Sequence, residues 1–202
     1  SATKGLSGPV CVPGDKSISH RSLILASMAI GQTQIKGILR GEDVLCTLRA
    51  MQQLGVPIAD DAVKDIITVN GIGTCGFTSP DEALDLGNAG TGIRLIMGAV
   101  AGQPLLATFT GDASLSKRPM RRITDPLEQM GAQINYLPEN RVKGLLPVTI
   151  AGAAPILPIS FAPRVASAQI KSAIMLAGLN ARGDTVVIEP HISRDHTESL
   201  LR

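Results

Sequence analysis

The chain has 202 residues, a formal net charge of +2, 44% apolar residues and 2% aromatic ones, with no tryptophan. That length suits one domain, or at most two small ones, and the weak charge and scarce aromatics argue against nucleic acid or an anionic membrane surface as a partner. Cys11, Cys46 and Cys75 form no C-x-x-C pair and point to reduced, buried thiols in a cytosolic protein rather than a disulfide or zinc framework; no signal peptide is recognisable, and no apolar run nears the roughly 18 residues of a membrane span.

In chain order, an apolar run at Val10 and Val12 reads as a strand, Pro13-Gly14 as a turn, and Lys16-Ser17-Ile18-Ser19-His20-Arg21 as the opening of an apolar helix. Free N–H groups and the dipole make a helix N-terminus attractive to anions. Lys16 and Arg21 add cations there, and Ser17 and Arg21, four apart, share a face. No acid occurs between Asp15 and Glu42, which leaves the positive end without an acid of its own in the helix and suggests a ligand as counter-charge.

The pattern recurs twice more. A small polar residue opens an apolar helix that stops at a glycine and is followed by a strand: Ser17 to Gly31 then Thr33 to Ile35, Asn88 to Gly102 then Leu105 to Thr110, and Ser167 to Gly183 then Thr185 to Ile188. An amphipathic helix comes next each time. The first is capped by Asp43 and runs to Leu54-Gly55, the second runs from about Pro119 to Met130-Gly131, and the third begins near Ser193-Arg194-Asp195-His196. Strand pairs around Ile66 to Val69 and Val148 to Ile150 close the first two copies. The third copy stops inside its second helix, as expected of a fragment of something longer. The three first helices are apolar all round, so they belong inside a core. They also lack acids, since none lies between Asp85 and Asp112 or between Glu139 and Asp184. Three such N-termini pointing one way would converge on one anionic ligand.

Gly87-Asn88-Ala89-Gly90-Thr91-Gly92 allows close backbone approach to a ligand or is a plain helix cap; it is neither a Walker A loop nor a Rossmann fingerprint. The run Lys117-Arg118-Pro119-Met120-Arg121-Arg122 puts cations at a helix start, where they oppose the dipole unless an anion is bound. Arg118 reads as functional, Arg121 and Arg122 as a solvated face. Ser167-Ala168-Gln169-Ile170-Lys171-Ser172 falls where Lys16-Ser17 falls in the first copy. In Arg194-Asp195-His196-Thr197-Glu198 the carboxylates read as helix caps rather than a catalytic pair, and no second histidine stands at metal spacing. His20 and His191 read as structural.

Taken together and in register, these five motifs resemble the 5-enolpyruvylshikimate-3-phosphate (EPSP) synthase family over essentially the whole chain. The resemblance implies an α/β (α+β) fold of inside-out type: a pseudo-threefold repeat of βαβαββ units around three buried parallel helices, here with the third repeat truncated. It implies that residues 1–202 are the N-terminal domain, with the C-terminal domain absent. It implies attack of the 5-hydroxyl of shikimate-3-phosphate on C2 of phosphoenolpyruvate, with loss of phosphate and with no metal or organic cofactor. Carried over by motif, shikimate-3-phosphate is held by Lys16, Ser17, Arg21, Ser167, Ala168, Gln169 and Arg194. Phosphoenolpyruvate, or the inhibitor glyphosate, is held by Lys16, Asn88, Gly90, Arg118 and Gln169. Lys16, between the two, is the catalytic residue on this half, while the family's carboxylate acid and base come from the other half. The expected partners are therefore these small anions and the C-terminal half, with no nucleic acid or membrane, in the cytoplasm. Gly90 is where an added methyl obstructs glyphosate in the family, and Leu95 stands where some members have Pro. The form of the motifs argues against two relatives of the same fold, UDP-N-acetylglucosamine enolpyruvyl transferase and RNA 3′-phosphate cyclase. A non-catalytic module that only binds substrate is the second reading.

Overall fold

Residues 8–10 and 12–202 are described by a computed structural model. Three helices are buried over most of their length and form its centre, α1 (Lys16–Met28), α3 (Gly90–Ala101) and α5 (Ala168–Gly178); α3 is apolar nearly all round, while α1 also buries Ser19, His20, Arg21 and Ser27 and α5 buries Lys171 and Ser172. In α3 only Thr91 and Arg94 escape full burial. The amphipathic helices α2 (Glu42–Gln53) and α4 (Arg121–Gln129) lie outside and bury one face each, through Val44, Leu48 and Met51 and through Ile123 and Leu127. Each such Leu, Ile or Met withdrawn from water stabilises the fold by about 1.5–3 kcal/mol before entropy is counted.

Three sheets surround the helices. The first has the order β1 (Ile30–Lys36), β3 (Ile66–Ile72), β2 (Ile58–Asp61), all antiparallel. The second has the order β4 (Leu84–Asp85), β5 (Leu106–Thr110), β7 (Val148–Ala151), β6 (Gln133–Tyr136), with β4 parallel to β5 and the other pairs antiparallel. The third pairs β8 (Ser160–Phe161) with β9 (Val186–Val187) in parallel, and α6 (His196–Leu201) follows. The middle copy, β4-α3-β5-α4-β6-β7, is a complete βαβαββ unit.

The leading strand expected at Val10 and Val12 is not formed by the described residues there. Both are more than 80% exposed, and the edge of β1 that corresponds to the β4 side of β5 has no parallel partner among the described residues. Cys11 lies outside the described residues; of the other two thiols expected to be buried, Cys46 is, whereas Cys75, in the turn after β3, is exposed. Two helix stops also differ from expectation. Helix α1 ends at Ala29, and Gly31 (φ +100°) sits inside β1, while α5 ends at Leu179, before Gly183 (φ +139°). At both places the positive φ serves the chain beyond the helix. Only Gly102 is a helix cap as read, and its φ of −87° is not left-handed.

Side-chain pairing fixes the direction of the helices. Thr91 meets Gln169, a Cβ on Gly98 would meet Ala173, and one on Gly102 would meet Ala177. Sequence numbers rise together, so α3 and α5 are parallel. Gly98 allows this approach, because a Cβ there would fall 2.3 Å from the Ala173 carbonyl oxygen. Gly98→Ala is therefore expected to cost about 1–3 kcal/mol through overpacking against backbone, read as a lower midpoint in urea unfolding.

Candidate functional site

The openings of the three buried helices share one end of the molecule. Arg21 of α1 donates through Nη2 to Ser172 Oγ of α5 (2.9 Å), and Gln169 of α5 donates to Thr91 Oγ1 of α3 (3.0 Å). Each opening is built differently. Asp15 caps α1, its Oδ1 accepting from the Ile18 N–H at 2.8 Å; Ser167 caps α5, accepting from Ile170 N–H at 3.4 Å; Ala89 precedes α3 with no side-chain cap. The Gly87 φ of +50° turns the chain into α3. Unsatisfied N–H groups at such an end favour a nearby anion by about 0.3–1 kcal/mol per helix.

The expectation that α1 opens without a counter-charge is corrected by two carboxylates. Asp15 is the cap itself, and Asp43 reaches across from α2 to pair with Lys16. Asp43 is not the cap of α2: Gly41 holds that position, and Asp43 sits in the first turn. Burial pushes the Asp43 carboxyl up, but Lys16 and the Val44 N–H outweigh it, and the net direction is down.

Arg118 stands at the mouth of α3. Its Nη2 donates to Asn88 Oδ1 (2.8 Å) and to Ser114 Oγ (3.3 Å), so neutral acceptors aim it while its charge stays uncompensated. Asn88 is held in turn by donating to Asp112 Oδ2 (3.0 Å), and Asp112 caps the 3-10 turn at 115–117 through its other oxygen. A Cβ added to Gly90 would lie 3.0 Å from Nη1 of both Arg118 and Arg94. The motifs did not single out Arg94. It is the one charged residue of α3, half-buried, donating to the Gly90 carbonyl (2.6 Å). Burial first, then Arg118 and Arg122, press its ionisation down, and no carboxylate pairs with it among the described residues. A lone cation one turn into an otherwise apolar helix is the signal that could have found it.

These groups line a cleft of about 370 Å³ between Arg94, Lys117, Arg118 and Arg122 on one side and Ser167 and Gln169 on the other. Arg122 borders the cleft and is exposed, in keeping with its reading as a solvated face, whereas that of Arg121 is corrected. Arg121 is structural: it donates to the carbonyls of Arg141 and Val142 and lies over the Tyr136 ring, 5.7 Å from its centroid. Ser167 and Gln169 also line a second hollow, of about 470 Å³, with Ala168, Ser193 and Arg194. Arg194 donates to Ser17 Oγ at 3.3 Å and joins that hollow to the opening of α1. Arg21 is 3% exposed and spends three of its five N–H groups on Thr197 Oγ1, the Ser17 carbonyl and Ser172 Oγ. Burial, then the nearby Arg194, lowers its pKa. Lys171, although part of the same motif, turns away from the cleft to Glu189 (2.7 Å) and Glu198 (2.6 Å). Glu198 therefore makes an ion pair rather than capping α6, and Asp195 holds the N-cap position without a side-chain bond to the backbone.

Two hollows that share Ser167 and Gln169, lined by cations, hydroxyls and an amide at the N-terminal ends of buried helices, have the chemistry to take anionic groups of small molecules. The family model for EPSP synthase (3-phosphoshikimate 1-carboxyvinyltransferase) matches residues 1–202, and the chain belongs to that family. The 3-phosphoshikimate 1-carboxyvinyltransferase of Nitrobacter hamburgensis is 56% identical over 98% of this chain and 44% of its own length; that of Roseobacter denitrificans is 54% identical over all of this chain and 44% of its own. A 2.37 Å structure of EPSP synthase from Acinetobacter baumannii superposes with a TM-score of 0.90 at 47% identity, over 96% of this chain and 43% of that one. The chain therefore spans less than half the length of the curated relatives it matches. The fold is that of the family, and no helix among the described residues is long and apolar enough to cross a membrane.

Proposed function

We propose that this chain is the N-terminal domain of an EPSP synthase, holding shikimate-3-phosphate and one side of phosphoenolpyruvate. In this reading Ser17, Arg21 and Arg194 take the ring substituents and carboxylate. Ser167, Ala168 and Gln169 take the phosphate and ring. Arg118 grips phosphoenolpyruvate beside Asn88 and Gly90, with Gln169 and Arg94 near, and glyphosate competes there. Lys16 lies between the substrates. The 5-hydroxyl oxygen bonds to C2 of phosphoenolpyruvate as its proton is taken up by a base and the methylene carbon gains one; the tetrahedral intermediate then collapses, phosphate leaving C2 and a proton leaving the new methyl group to restore the double bond. Arg suits these positions through its planar fork to carboxylate and phosphate oxygens. The acid and base come from the remaining half, whose closure assembles the site. The setting is the cytoplasm, without a cofactor.

The observation that carries the reading is the pair of hollows, sharing Ser167 and Gln169, in which Arg94, Arg118, Arg122 and Arg194 have no carboxylate partner among the described residues. Calorimetry of the 202-residue chain with shikimate-3-phosphate is expected to show one molecule bound, more weakly as salt rises, with no turnover until the remaining half is supplied. Absence of binding at millimolar ligand rejects the reading, and turnover by the chain alone rejects the split site.

A further inference from the structure

His20 is a wholly buried imidazole that the reaction described above does not use. Its Nδ1 lies 2.8 Å from Thr47 Oγ1 of α2. Its Nε2 has no hydrogen-bond partner and faces Asp43 Oδ2 at 3.7 Å, too far for a hydrogen bond but within a small side-chain rotation. Asp43 Oδ1 is held by the Val44 N–H at 3.0 Å, and Oδ2 pairs with Lys16. The Lys16 side chain is 55% exposed and that of Asp43 only 14%. The mobile partner of the pair is therefore the cation, and the fixed, half-buried partner is the anion.

An ionised carboxylate so placed cannot lose its cation without cost unless another donor takes over. Among the described residues, the group facing Oδ2 besides Lys16 is His20 Nε2. The tautomer follows from the same geometry. If Nδ1 carried the proton, the bare lone pair of Nε2 would face a carboxylate. The Thr47 hydroxyl has two acceptors in reach, His20 Nδ1 at 2.8 Å and the Asp43 carbonyl at 3.4 Å; with its proton on the nearer one, Nδ1, the imidazole carries its own on Nε2 and points it at Asp43. Helix α3 closes the third side with backbone only: a Cβ on Gly92 would fall 2.2 Å from Thr47 Oγ1 and 3.2 Å from His20 Nδ1.

We propose that Asp43 is a stand-in counter-ion for Lys16, and that His20, fixed by Thr47 with its Nε2–H toward Asp43, accepts that carboxylate when Lys16 turns to an incoming anion. His20 is then a positioning residue, acting on substrate through Asp43 and Lys16. The exchange rests on the reading that Lys16 meets an anionic substrate. It keeps the free site neutral where the cation waits, and it lets the cation leave without stranding a buried charge.

The test is nuclear magnetic resonance of the full chain with isotope-labelled histidine. Burial, chiefly, lowers the His20 pKa to about 4; Asp43 works against it, and Lys16 and Arg21 work with it. The charged groups facing the ring are thus Lys16 and Arg21 from α1 and Asp43 from α2, with none from α3. At neutral pH the unmodified chain should show the Nε2–H tautomer. K16M should move the Nε2–H proton downfield as it bonds to Asp43, and should raise proton affinity by about tenfold or more, one pKa unit. In a D43N background K16M should leave the Nε2–H proton where it was, and the gain in proton affinity should shrink to what loss of the Lys16 charge alone gives. Saturating shikimate-3-phosphate should reproduce the downfield shift in the unmodified chain.

An Nδ1–H tautomer, or a K16M downfield shift that persists without Asp43, overturns the proposal. So does a ligand that binds by calorimetry yet leaves the Nε2–H proton where it was. An Asp43-dependent K16M response in a chain that binds no shikimate-3-phosphate upholds the His20 exchange and rejects the substrate reading alone.

Discussion

Lys171→Met is expected to cost the chain about 3–5 kcal/mol of stability at neutral pH, the range for removing one member of a buried ion cluster. The ammonium is 9% exposed between Glu189 at 2.7 Å and Glu198 at 2.6 Å, on side chains 14% and 25% exposed. Burial alone would lower the Lys171 pKa, but the two carboxylates outweigh it and raise it above its ordinary 10.5. Burial likewise pushes Glu189 up, and Lys171 and Ser193 bring it net below 4.5. The Lys171 contribution is therefore complete below pH 10.5 and lost as pH rises through the higher folded value. The Glu189 contribution is present above pH 4.5 and lost as pH falls through the lower folded value. Without the ammonium, burial is left to push the Glu189 carboxyl up, so the deficit is largest near neutrality and shrinks toward pH 4.5. Urea unfolding at pH 4.5 and pH 7 checks this, and an equal deficit at both would show that packing, not charge, is what was lost. The same cluster docks the segment from Glu189 to α6, which carries Arg194 to Ser17, so shikimate-3-phosphate binding should weaken alongside stability.

Arg118→Ala in the full-length enzyme is expected to weaken phosphoenolpyruvate binding by about 2–5 kcal/mol, the cost of truncating one partner of an enclosed, hydrogen-bonded charge pair. Asn88 and Ser114 aim the guanidinium without neutralising it, so its full charge remains for the ligand. Shikimate-3-phosphate affinity should change little, because that ligand's groups in this reading lie on α1, α5 and the Arg194 segment. Titrating each substrate separately reads the difference, and unchanged phosphoenolpyruvate affinity would remove Arg118 from its role.

The inside of the fold was legible because long apolar runs separate buried helices from amphipathic ones, and α1 from Leu23, α3 apart from Arg94 and α5 from Ala173 carry that signal. The glycine and hydroxyl openings were legible for the same local reason. What sequence spacing could not supply was the partner across space. Counting acids along α1 missed Asp43, which arrives from α2 to meet Lys16, and Glu198 read as a cap although its carboxylate crosses to Lys171 on another helix. Gly31 and Gly183 read as helix stops because a left-handed glycine looks the same in sequence whether it ends a helix or shapes the chain after it. Arg94 stands outside every motif and in apolar surroundings, and Arg121 read as solvated although its guanidinium crosses to the Arg141 and Val142 carbonyls. The run at Val10 and Val12 has strand composition but no neighbouring strand among the described residues, and composition alone does not make a ladder.

Parallel alignment gathers carbonyl oxygens at the pole opposite the hollows, where like partial charges crowd together. The chain answers with uncharged amides. Asn180 donates to the Gly102 and Thr74 carbonyls at 3.0 and 2.7 Å, and the fully buried Gln103 donates to Ala99 at 3.3 Å. One pole is wet, cationic and receptive; the other is sealed by carboxamides that can quiet a negative end without inviting a counter-ion in.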